Sequence, residues 1–547
     1  MAVYYVDSAA GSDSNNGAST STAFASIAKV NSLNLQPGDQ VLFKAGCSFS
    51  GTLAINASGT STSRIVIGSY GTGADPVFSS ATTTIEGGTA AIIVDGNYVS
   101  VSDIKITSGS AAGIVVNGNW ATVKDSEITG TGTGILVTGE NGLYTSNYVH
   151  DTIMVRNTQG TSAPDNNDDY GATAFSIAGS HNEFSFNTID DCKAASYDYG
   201  WDGGAFEIWK TVDDIYIHDN TATDSCGFIE TGGETGDTVS NLVIQNNLSK
   251  DNGGFLYFHN DGGTFGVEHD RVDISYNTII ESDPDAILVG TDGPVGSEMD
   301  FHNNIVVASD GASHQGWVVF NEPWSSRSYN FYEGDVETDQ VNGVAVDDLT
   351  ATEVRGDVGF VSSTDFHTLG TDGLGMGSYG AQGQTSSGTD GNDAVQLGFG
   401  SDVYNGGLGN DTINGGLGND TINGGGGNDV IEGGAGFDWL TGSAGSDTFV
   451  FNGDTISSTG IDHITDLNSA DDMIDLGEAF SSLSKGTPPA SEFRAGTDAQ
   501  DPDDYLIYDQ GAGRLWYDAD GNGGGYKQLI ATFERGTYLD RWNFWVF

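Results

Sequence analysis

Basic residues are scarce in this chain. Lys and Arg together number 18 among 547 residues, whereas Asp and Glu number 76, so the formal net charge at pH 7 is −58. Such a chain offers no basic patch that could release counterions from a polyanionic backbone, and we expect no nucleic-acid partner. Bound cations would instead offset the self-repulsion of the chain and make its folding depend on them.

Cysteine and long apolar runs are also scarce. Cys47, Cys192 and Cys226 are too few for a disulfide framework, and although the last two could lie on neighbouring coils, we expect mostly buried thiols. No run approaches the about 18 apolar residues of a membrane-spanning helix, and the N-terminal segment lacks the pattern of a signal peptide. We therefore expect no membrane span, and export would need a C-terminal signal.

Glycine, in contrast, is abundant, at 81 residues, and Ser, Thr, Asn and Val are frequent. The Leu, Glu and Lys periodicity of long helices is nearly absent, so the sequence predicts an all-β protein. A composition shift in the segment 375–391 indicates a domain boundary. We predict a first domain at residues 1–378, a linker at 379–387 and a second domain at 388–547.

The second domain begins with seven consecutive nine-residue blocks, each with glycines ahead of an Asp. The clearest copies, GGLGNDTIN at 406–414 and 415–423, match the repeat G-G-x-G-x-D-x-U-x. Glycine permits the tight turns, Asp oxygens suit a hard cation, and Ile422, Val430 and Ile431 would fill a thin interior. The blocks predict a parallel β-roll that binds several Ca²⁺ ions. The expected ligands are Asp393, Asp402, Asp411, Asp420, Asp429, Asp438 and Asp447.

The first domain repeats irregularly around an Asn with apolar neighbours. Successive copies are 40, 33, 27, 30 and 27 residues apart, which suits the coils of a solenoid with insertions of variable length. The pattern predicts a right-handed parallel β-helix in which these Asn side chains stack and satisfy backbone groups along an internal ladder. The series is Asn147, Asn187, Asn220, Asn247, Asn277 and Asn304.

Two glutamates are expected at equivalent outward positions on adjacent coils. Strand alternation in AFEIW and FIET points Glu207 and Glu230 to the same outer face. Neighbouring strands lie about 4.8 Å apart, so both carboxylates cannot ionise freely and one is expected to stay protonated near neutral pH. The outward column is Ser176, Glu207, Glu230 and Tyr257. The same alternation predicts Ala205, Trp209 and Phe228 outward and Phe206, Ile208 and Ile229 inward.

Paired carboxyl groups are the acid and base of glycoside hydrolysis, which uses separations of about 5–5.5 Å for retention and about 6.5–9.5 Å for inversion. We expect Glu207, Glu230 and Asp202, which precedes the Glu207 strand, to form this set. Aromatic rings around them would stack on sugar rings. The expected substrate-binding residues are Trp201, Trp209, Tyr199, Tyr257 and His259. The segments 165–171 and 268–271 are expected at the rim of the same region.

Other interpretations of these residues stay open at this point. Glu207 and Glu230 could form a second calcium site or be solvated strand residues. Tyr257, His259 and Lys210 could serve an alginate- or pectate-type lyase or a mannuronan C5-epimerase, although the acidic surroundings would repel a polyuronate unless calcium bridges the two. A non-catalytic glycan-binding or biofilm protein would need no paired carboxylates. The favoured interpretation is a glycoside hydrolase that degrades a neutral or weakly charged polysaccharide.

Several segments resemble known families. The GGLGNDTIN blocks resemble the RTX repeats of proteins exported by bacterial type I secretion, and residues 540–547 resemble the acidic-then-hydrophobic ends of such substrates. Residues 1–80 resemble the cap and first coils of secreted β-helix carbohydrate-active enzymes. The part from Phe449 onward resembles the cap of serralysin-type β-rolls, but the protease motif H-E-x-x-H is absent. These resemblances imply an extracellular protein exported by type I machinery.

Overall fold

The computed structural model describes residues 1–80, 90–107, 111–156, 170–196, 200–258, 267–282, 287–291, 297–308, 316–318, 326–328, 330–333, 336–337, 339–341, 344–346, 354–355, 385–399, 402–417, 419–452, 461–477, 479–522 and 527–547. The chain forms two compact units. The first comprises Met1–His302, Val306–Ser328 and Tyr332–Glu353, and the second comprises Asn303–Ile305, Tyr329–Phe331 and Val354–Phe547.

Three long parallel sheets build a β-helix. Within the described residues, each coil places one strand in sheet 2, the next in sheet 1 and the next in sheet 3. Sheet 1 contains Val3–Val6, Gln40–Lys44, Ile65–Tyr70, Val99–Ser102, Thr122–Lys124, Leu143–Thr145, Glu183–Ser185, Val212–His218, Thr238–Gln245, Glu268–Ser275, Ser297–His302 and Ser326–Ser328. Sheet 2 contains Leu53–Ile55, Ile92–Val94, Ala112–Val116, Thr133–Val137, Thr173–Ile177, Gly204–Trp209, Ile229–Gly232, Gly254–Phe258, Ile287–Thr291, Gly316–Val318 and Val336–Glu337.

Sheet 3 contains Ser48–Ser50, Val77–Ser79, Lys105–Thr107, Glu127–Thr129, Tyr148–His150, Thr188–Asp190, Thr221–Thr223, Leu248–Lys250, Thr278–Glu281, Ile305–Ala308, Phe331–Glu333 and Val354–Arg355. Short hairpins interrupt the coils. They pair Met154–Arg156 with Tyr170–Gly171, Ala194–Ser196 with Gly200–Asp202, and Asp339–Val341 with Val344–Val346. The α-helix Ile27–Asn31 adds Ile27 and Val30 to the core, and a 3₁₀ helix spans Thr20–Thr22.

Apolar residues stack in register inside the β-helix. In sheet 2, residues of successive coils align as Cα partners and are at most 1 % exposed. Burial of such apolar columns is the main favourable contribution to folding. The column is Ile114, Ile135, Phe175, Phe206, Ile229 and Leu256.

The predicted Asn series forms an internal ladder, which we call the Asn ladder. The Asn187 backbone N–H and Nδ2 each donate to Asn220 Oδ1 at 2.9 Å, and Asn187 Nδ2 also donates to the Tyr144 carbonyl at 2.9 Å. The same bonds join Asn147 to Asn187 and Asn220 to Asn247. The residue before each ladder Asn has a positive φ, as Asp219 does at 54°, which turns the chain at the corner.

Two further sheets build the β-roll. Coils pair in parallel with a shift of 18 residues, as between Ile413 and Ile431, so one coil consists of two nine-residue blocks. One sheet contains Thr385–Ser387, Val403–Asn405, Thr421–Gly426, Trp439–Ala444, Asp462–Ile464, Lys527–Phe533, Arg514–Asp518, Leu506–Asp509 and Phe493–Ala495. The other contains Ala394–Phe399, Thr412–Leu417, Val430–Ala435, Thr448–Phe451, Met473–Leu476 and Phe544–Val546.

The interior of the roll contains Ile422 and Ile431, which are fully buried, but not Val430, which is 37 % exposed. The expectation for Val430 was wrong because adjacent residues of a strand face opposite sides. The strand Arg514–Asp518 pairs antiparallel with both Leu506–Asp509 and Lys527–Phe533 in the first roll sheet, and a 3₁₀ helix spans Arg541–Asn543. The predicted fold class, a parallel β-helix followed by a β-roll, is confirmed. No helix among the described residues is long and apolar enough to span a membrane.

Candidate active site

Four consecutive strands of sheet 2 bring the predicted outward column together. Ser176 is the Cα partner of Glu207, Glu207 of Glu230, and Glu230 of Tyr257. The two glutamates are therefore directly opposed on adjacent coils, at the strand spacing of about 4.8 Å.

Aromatic residues hold these strands from inside. Phe175 stacks on Phe206 with ring centroids 5.2 Å apart, and Phe228 stacks on Phe255 at 5.1 Å. Phe206 meets Phe228 edge to face at 5.5 Å, so the packing continues across the glutamate pair. Offset and edge-to-face aromatic pairs stabilise a core beyond their buried area. The backbone that carries the two glutamates therefore rests on a continuous aromatic core.

Two orientations predicted for this region were wrong. Ala205 and Phe228, expected outward, are both fully buried. Phe228 lies ahead of the strand Ile229–Gly232, where alternation does not apply. Ala205 belongs to the same buried core as its neighbour Phe206. The pairs Thr173–Gly204 and Phe175–Phe206 keep one register, so the burial of Ala205 departs from strict alternation without a shift in strand pairing.

Glu207 lies in a partly buried, acidic environment. Thr173 Oγ1 donates to Glu207 Oε2 at 3.4 Å. Burial, followed by the charges of Glu230 and Asp202, raises the pKa of Glu207 to about 7. A carboxyl group with this pKa keeps a large protonated fraction near neutral pH, which is what a general acid requires.

Asp202 completes the acidic group from a hairpin. It ends the strand Gly200–Asp202 opposite Ala194, and the Gly203 N–H donates to its Oδ1 at 2.8 Å. Burial and then the charges of Asp202 and Glu230 raise the pKa of the Cys226 thiol to about 11. Cys226 is thus a protonated thiol beside the carboxylates, where it is unsuited to act as a nucleophile.

Trp209 supplies a flat ring beside the glutamate pair. It is the Cα partner of Gly232, and a Cβ added to Gly232 would clash with three atoms of the indole ring. The absence of a side chain at Gly232 therefore lets the ring lie across the next coil. Trp201 is 59 % exposed on the hairpin strand that carries Asp202.

Tyr199, His259 and residues 165–169 lie outside the described residues. His269, expected at the rim, is instead fully buried and lies 2.7 Å from Thr231 Oγ1 through its Nε2. The rim expectation was wrong because His269 belongs to a long strand of sheet 1, Glu268–Ser275, and faces the core. Thr173 and Cys226 were missed, since their closeness to the glutamates depends on neighbouring coils and leaves no local pattern.

The aspartates of the roll form two ladders along its coils, which we call the Asp ladders. Backbone N–H groups donate to the Asp side chain 18 residues later, as Asp402 does to Asp420 Oδ1 at 2.7 Å and Asp411 to Asp429 Oδ1 at 2.8 Å. The Asp393 N–H likewise donates to Asp411 Oδ1, but the Oδ2 of Asp393 itself accepts a hydrogen bond from Thr389 Oγ1. The Oδ2 atoms of later members are buried and have no hydrogen-bond partner among the residues that the structure describes. They belong to Asp411, Asp420, Asp429, Asp438 and Asp447.

These oxygens fit a hard cation. A Cβ added to Gly415 would clash with both Asp420 Oδ2 and the Gly433 carbonyl oxygen, so both oxygens line one small space that glycine leaves open. Across the described residues, no group of three or more His, Cys, Asp or Glu side chains could hold a metal ion. Backbone carbonyl oxygens would therefore complete the ligand set, as is common for Ca²⁺.

The fold defines the class of this chain, a parallel β-helix followed by a β-roll. Residues 387–422, 396–431 and 423–455 match the family model of the RTX calcium-binding nonapeptide repeat, four copies. The predicted cofactor, Ca²⁺ in these repeats, is thereby confirmed. A comparison with curated protein sequences finds no match.

Three solved structures are each similar to part of this chain. A GH136 lacto-N-biosidase from Eubacterium ramulus is 17 % identical, with 64 % of this chain and 67 % of that chain covered and a TM-score of 0.40. An alginate lyase from Paenibacillus sp. str. FPU-7 is 17 % identical over 57 % and 97 %, with a TM-score of 0.36. Pectate lyase Pel9A is 17 % identical over 68 % and 86 %, with a TM-score of 0.42.

Proposed function

We propose that the β-helix is a polysaccharide-degrading glycoside hydrolase with Glu207 as its general acid. The observation that carries this proposal is the register of Glu207 and Glu230 on adjacent coils, together with the pKa of about 7 for Glu207. Glycoside hydrolysis uses two neighbouring carboxyl groups, one of which is protonated and acts as the general acid.

The proposed reaction uses the pair in two steps. Glu230 attacks the anomeric carbon while Glu207 gives its proton to the departing glycosidic oxygen, and a glycosyl ester forms on Glu230. Water then attacks that ester, Glu207 takes its proton, and Glu230 is released. The strand spacing of about 4.8 Å is closer to the separation of about 5–5.5 Å for retention than to that for inversion. Burial, followed by the charges of Glu230 and Asp202, would keep Glu207 protonated before the first step by raising its pKa.

Neutral or weakly charged polysaccharide is the proposed substrate. The carboxylates of Asp202 and Glu230 would repel an anionic chain in a protein that already carries a net charge of −58. The Trp209 ring beside them offers a face on which a pyranose ring can stack.

A second candidate function rests on Tyr257. It follows Glu230 in the same column, where a phenol could take the C5 proton of a uronate. The protein would then be a polyuronate lyase or epimerase, with Tyr257 as base. A lyase creates both reducing ends and unsaturated ends that absorb ultraviolet light, an epimerase cuts nothing, and a non-catalytic glycan-binding protein leaves the polysaccharide unchanged.

The rest of the chain supports an extracellular role in this proposal. RTX repeats are typical of secreted proteins. We propose that the protein is secreted by type I machinery and divides into residues 1–378, a linker at 379–387 and residues 388–547, with a serralysin-type cap at the end. Export would deliver the chain to a calcium-rich medium in which the roll folds.

Product analysis with carboxamide variants tests the proposal. On a panel of polysaccharides with calcium, the native protein is expected to release reducing ends without unsaturated ends. Glu207→Gln and Glu230→Gln are each expected to lower this activity about 10²–10⁴-fold, the usual contribution of general acid–base catalysis. Glu140→Gln, at an exposed position of the β-helix, is the matched control and should retain full activity. Full activity of both site variants on a cleaved substrate would contradict the assignment.

A further inference from the structure

Asp462 occupies a position of an Asp ladder although it lies outside the repeats. The Asp438 N–H donates to Asp462 Oδ1 at 3.2 Å, just as the Asp420 N–H donates to Asp438 Oδ1 at 2.7 Å. The step from Asp438 to Asp462 is 24 residues instead of 18. Asp462 also follows the last residue matched by the repeat model, 455. One ladder thus continues past the insertion that ends the nine-residue pattern.

The last two aspartates of this ladder, Asp438 and Asp462, place two carboxyl groups close together in the interior of the roll. Asp438 and Asp462 are both fully buried, and within the described part of the chain the Oδ2 atom of each has no hydrogen-bond partner. His463, the nearest basic residue in sequence, is engaged by Thr532 Oγ1 at 3.0 Å. Two such carboxylates are costly to bury unless a cation or a proton compensates them.

We propose that Asp438 and Asp462 bind a common Ca²⁺ ion at the end of this ladder, beyond the RTX repeats. The donors are carboxylate oxygens, which suit a hard cation. The ion would join the strand Trp439–Ala444 to the strand Asp462–Ile464, which in turn pairs with Lys527–Phe533. The site would therefore fasten the last repeat coil to the strands that follow it.

Calcium counting on the full chain tests the proposal. The protein is freed of calcium, titrated again, and the ions bound per chain are counted by equilibrium dialysis. Asp462→Asn keeps an acceptor for the Asp438 N–H and is expected to bind one ion fewer than the native protein. Asp471→Asn makes the same change of charge at an exposed position and should bind the native number. Adding Asp462→Asn to Asp438→Asn should remove no further ion, because both residues serve the same one.

An unchanged calcium count in a folded Asp462→Asn protein would overturn the proposal and leave a shared proton as the compensation. Folding of each variant is checked by circular dichroism in saturating calcium, since mass action keeps the remaining sites filled. Should Asp462→Asn not fold, a calcium anomalous-difference map of the native protein decides. A peak between the Asp438 and Asp462 carboxylates supports the site, and its absence there overturns it.

Discussion

The β-helix and the β-roll use the same backbone arrangement with opposite side-chain chemistry. In the Asn ladder, Asn220 Oδ1 accepts the N–H of Asn187 on the preceding coil at 2.9 Å. In an Asp ladder, Asp438 Oδ1 accepts the N–H of Asp420 on the preceding coil at 2.7 Å. The two ladders differ in the other polar atom of the side chain, which is Nδ2 in Asn and Oδ2 in Asp. Asn220 Nδ2 donates to the Phe184 carbonyl and to Asn247 Oδ1, whereas Asp438 Oδ2 is buried and has no partner in the described ranges of the chain.

An amide both donates and accepts hydrogen bonds, whereas an ionised carboxylate only accepts them. A stack of buried amides can therefore satisfy itself, coil after coil, without any added charge. A stack of buried carboxylates repels itself and leaves one oxygen per residue to be satisfied from outside the chain. The amides of the β-helix therefore satisfy one another, whereas the carboxylates of the roll need a bound cation to compensate their charge.

Calcium removal is expected to give the largest effect. Chelation should unfold the roll, because its carboxylates lose their compensation, and leave the β-helix folded. Limited proteolysis with and without chelator, read by mass spectrometry, measures this outcome. Cleavage should become rapid after residue 388 while the β-helix persists as a resistant fragment. If the β-helix and the roll stay equally protected from the protease in chelator, the roll does not depend on calcium. If both become cleavable together, the roll is not the only part that depends on it.

The substitution Asn220→Asp converts one member of the Asn ladder into its Asp counterpart. It removes the donors to Phe184 and Asn247 and buries a charge beside the Asn247 Oδ1 acceptor. Loss of about 3–5 kcal/mol from the free energy of unfolding is expected, as for a buried charge without a partner. Urea unfolding of the β-helix measures it.

Asn16→Asp is the control for this substitution. Asn16 is exposed and its Oδ1 accepts the Ala18 N–H, a bond that a carboxylate preserves. The control should change stability by less than about 0.5 kcal/mol, as surface substitutions usually do. Comparable losses in the two variants would show that burial in the ladder is not the cause.

The spacing of Asn and Asp residues made both ladders predictable from the sequence. Each ladder member follows or precedes apolar residues at a fixed offset, and the repeat of that offset distinguishes it from an ordinary turn residue. The inward–outward alternation of strand residues correctly predicted that Glu207 and Glu230 lie opposite each other on adjacent coils. It failed at Phe228, which lies ahead of its strand, and at Ala205, which is buried beside Phe206, because strand boundaries and local burial depend on the neighbouring coils.

Contacts between loops of different coils could not be predicted from the sequence, because they too depend on how neighbouring coils are placed. Cys226 is affected by the charge of Asp202, which a hairpin brings there from another coil. Asp462 was missed because a 24-residue step interrupts the nine-residue count that identified the other ladder members. A periodic spacing in the sequence identifies equivalent residues on successive coils of equal length. An insertion changes the length of a coil, so the spacing no longer identifies the equivalent residue there.

The smallest expected effect is the pH dependence of stability that protonation of Glu207 causes in the β-helix. Its pKa rises from 4.5 to about 7 on folding, so the folded protein binds this proton more tightly than the unfolded chain. The resulting stabilisation is complete below pH 4.5 and is lost as the pH rises through about 7. A decrease of about 2–3 kcal/mol in the free energy of unfolding is expected over this range. Urea titrations from pH 4.5 to 7.5 measure it, and Glu207→Gln should remove this part of the pH dependence.

Repeating these titrations with calcium and with chelator shows which compensation the glutamate pair uses. If a proton relieves the repulsion between Glu207 and Glu230, the difference between native protein and Glu207→Gln keeps its pH dependence in both conditions. If the pair instead binds calcium as the Asp ladders do, the dependence shrinks in calcium, because the ion displaces the proton. Glu140→Gln controls for the loss of a negative charge. The first outcome keeps the pair available as an acid and a base, whereas the second would place it with the roll as a cation site.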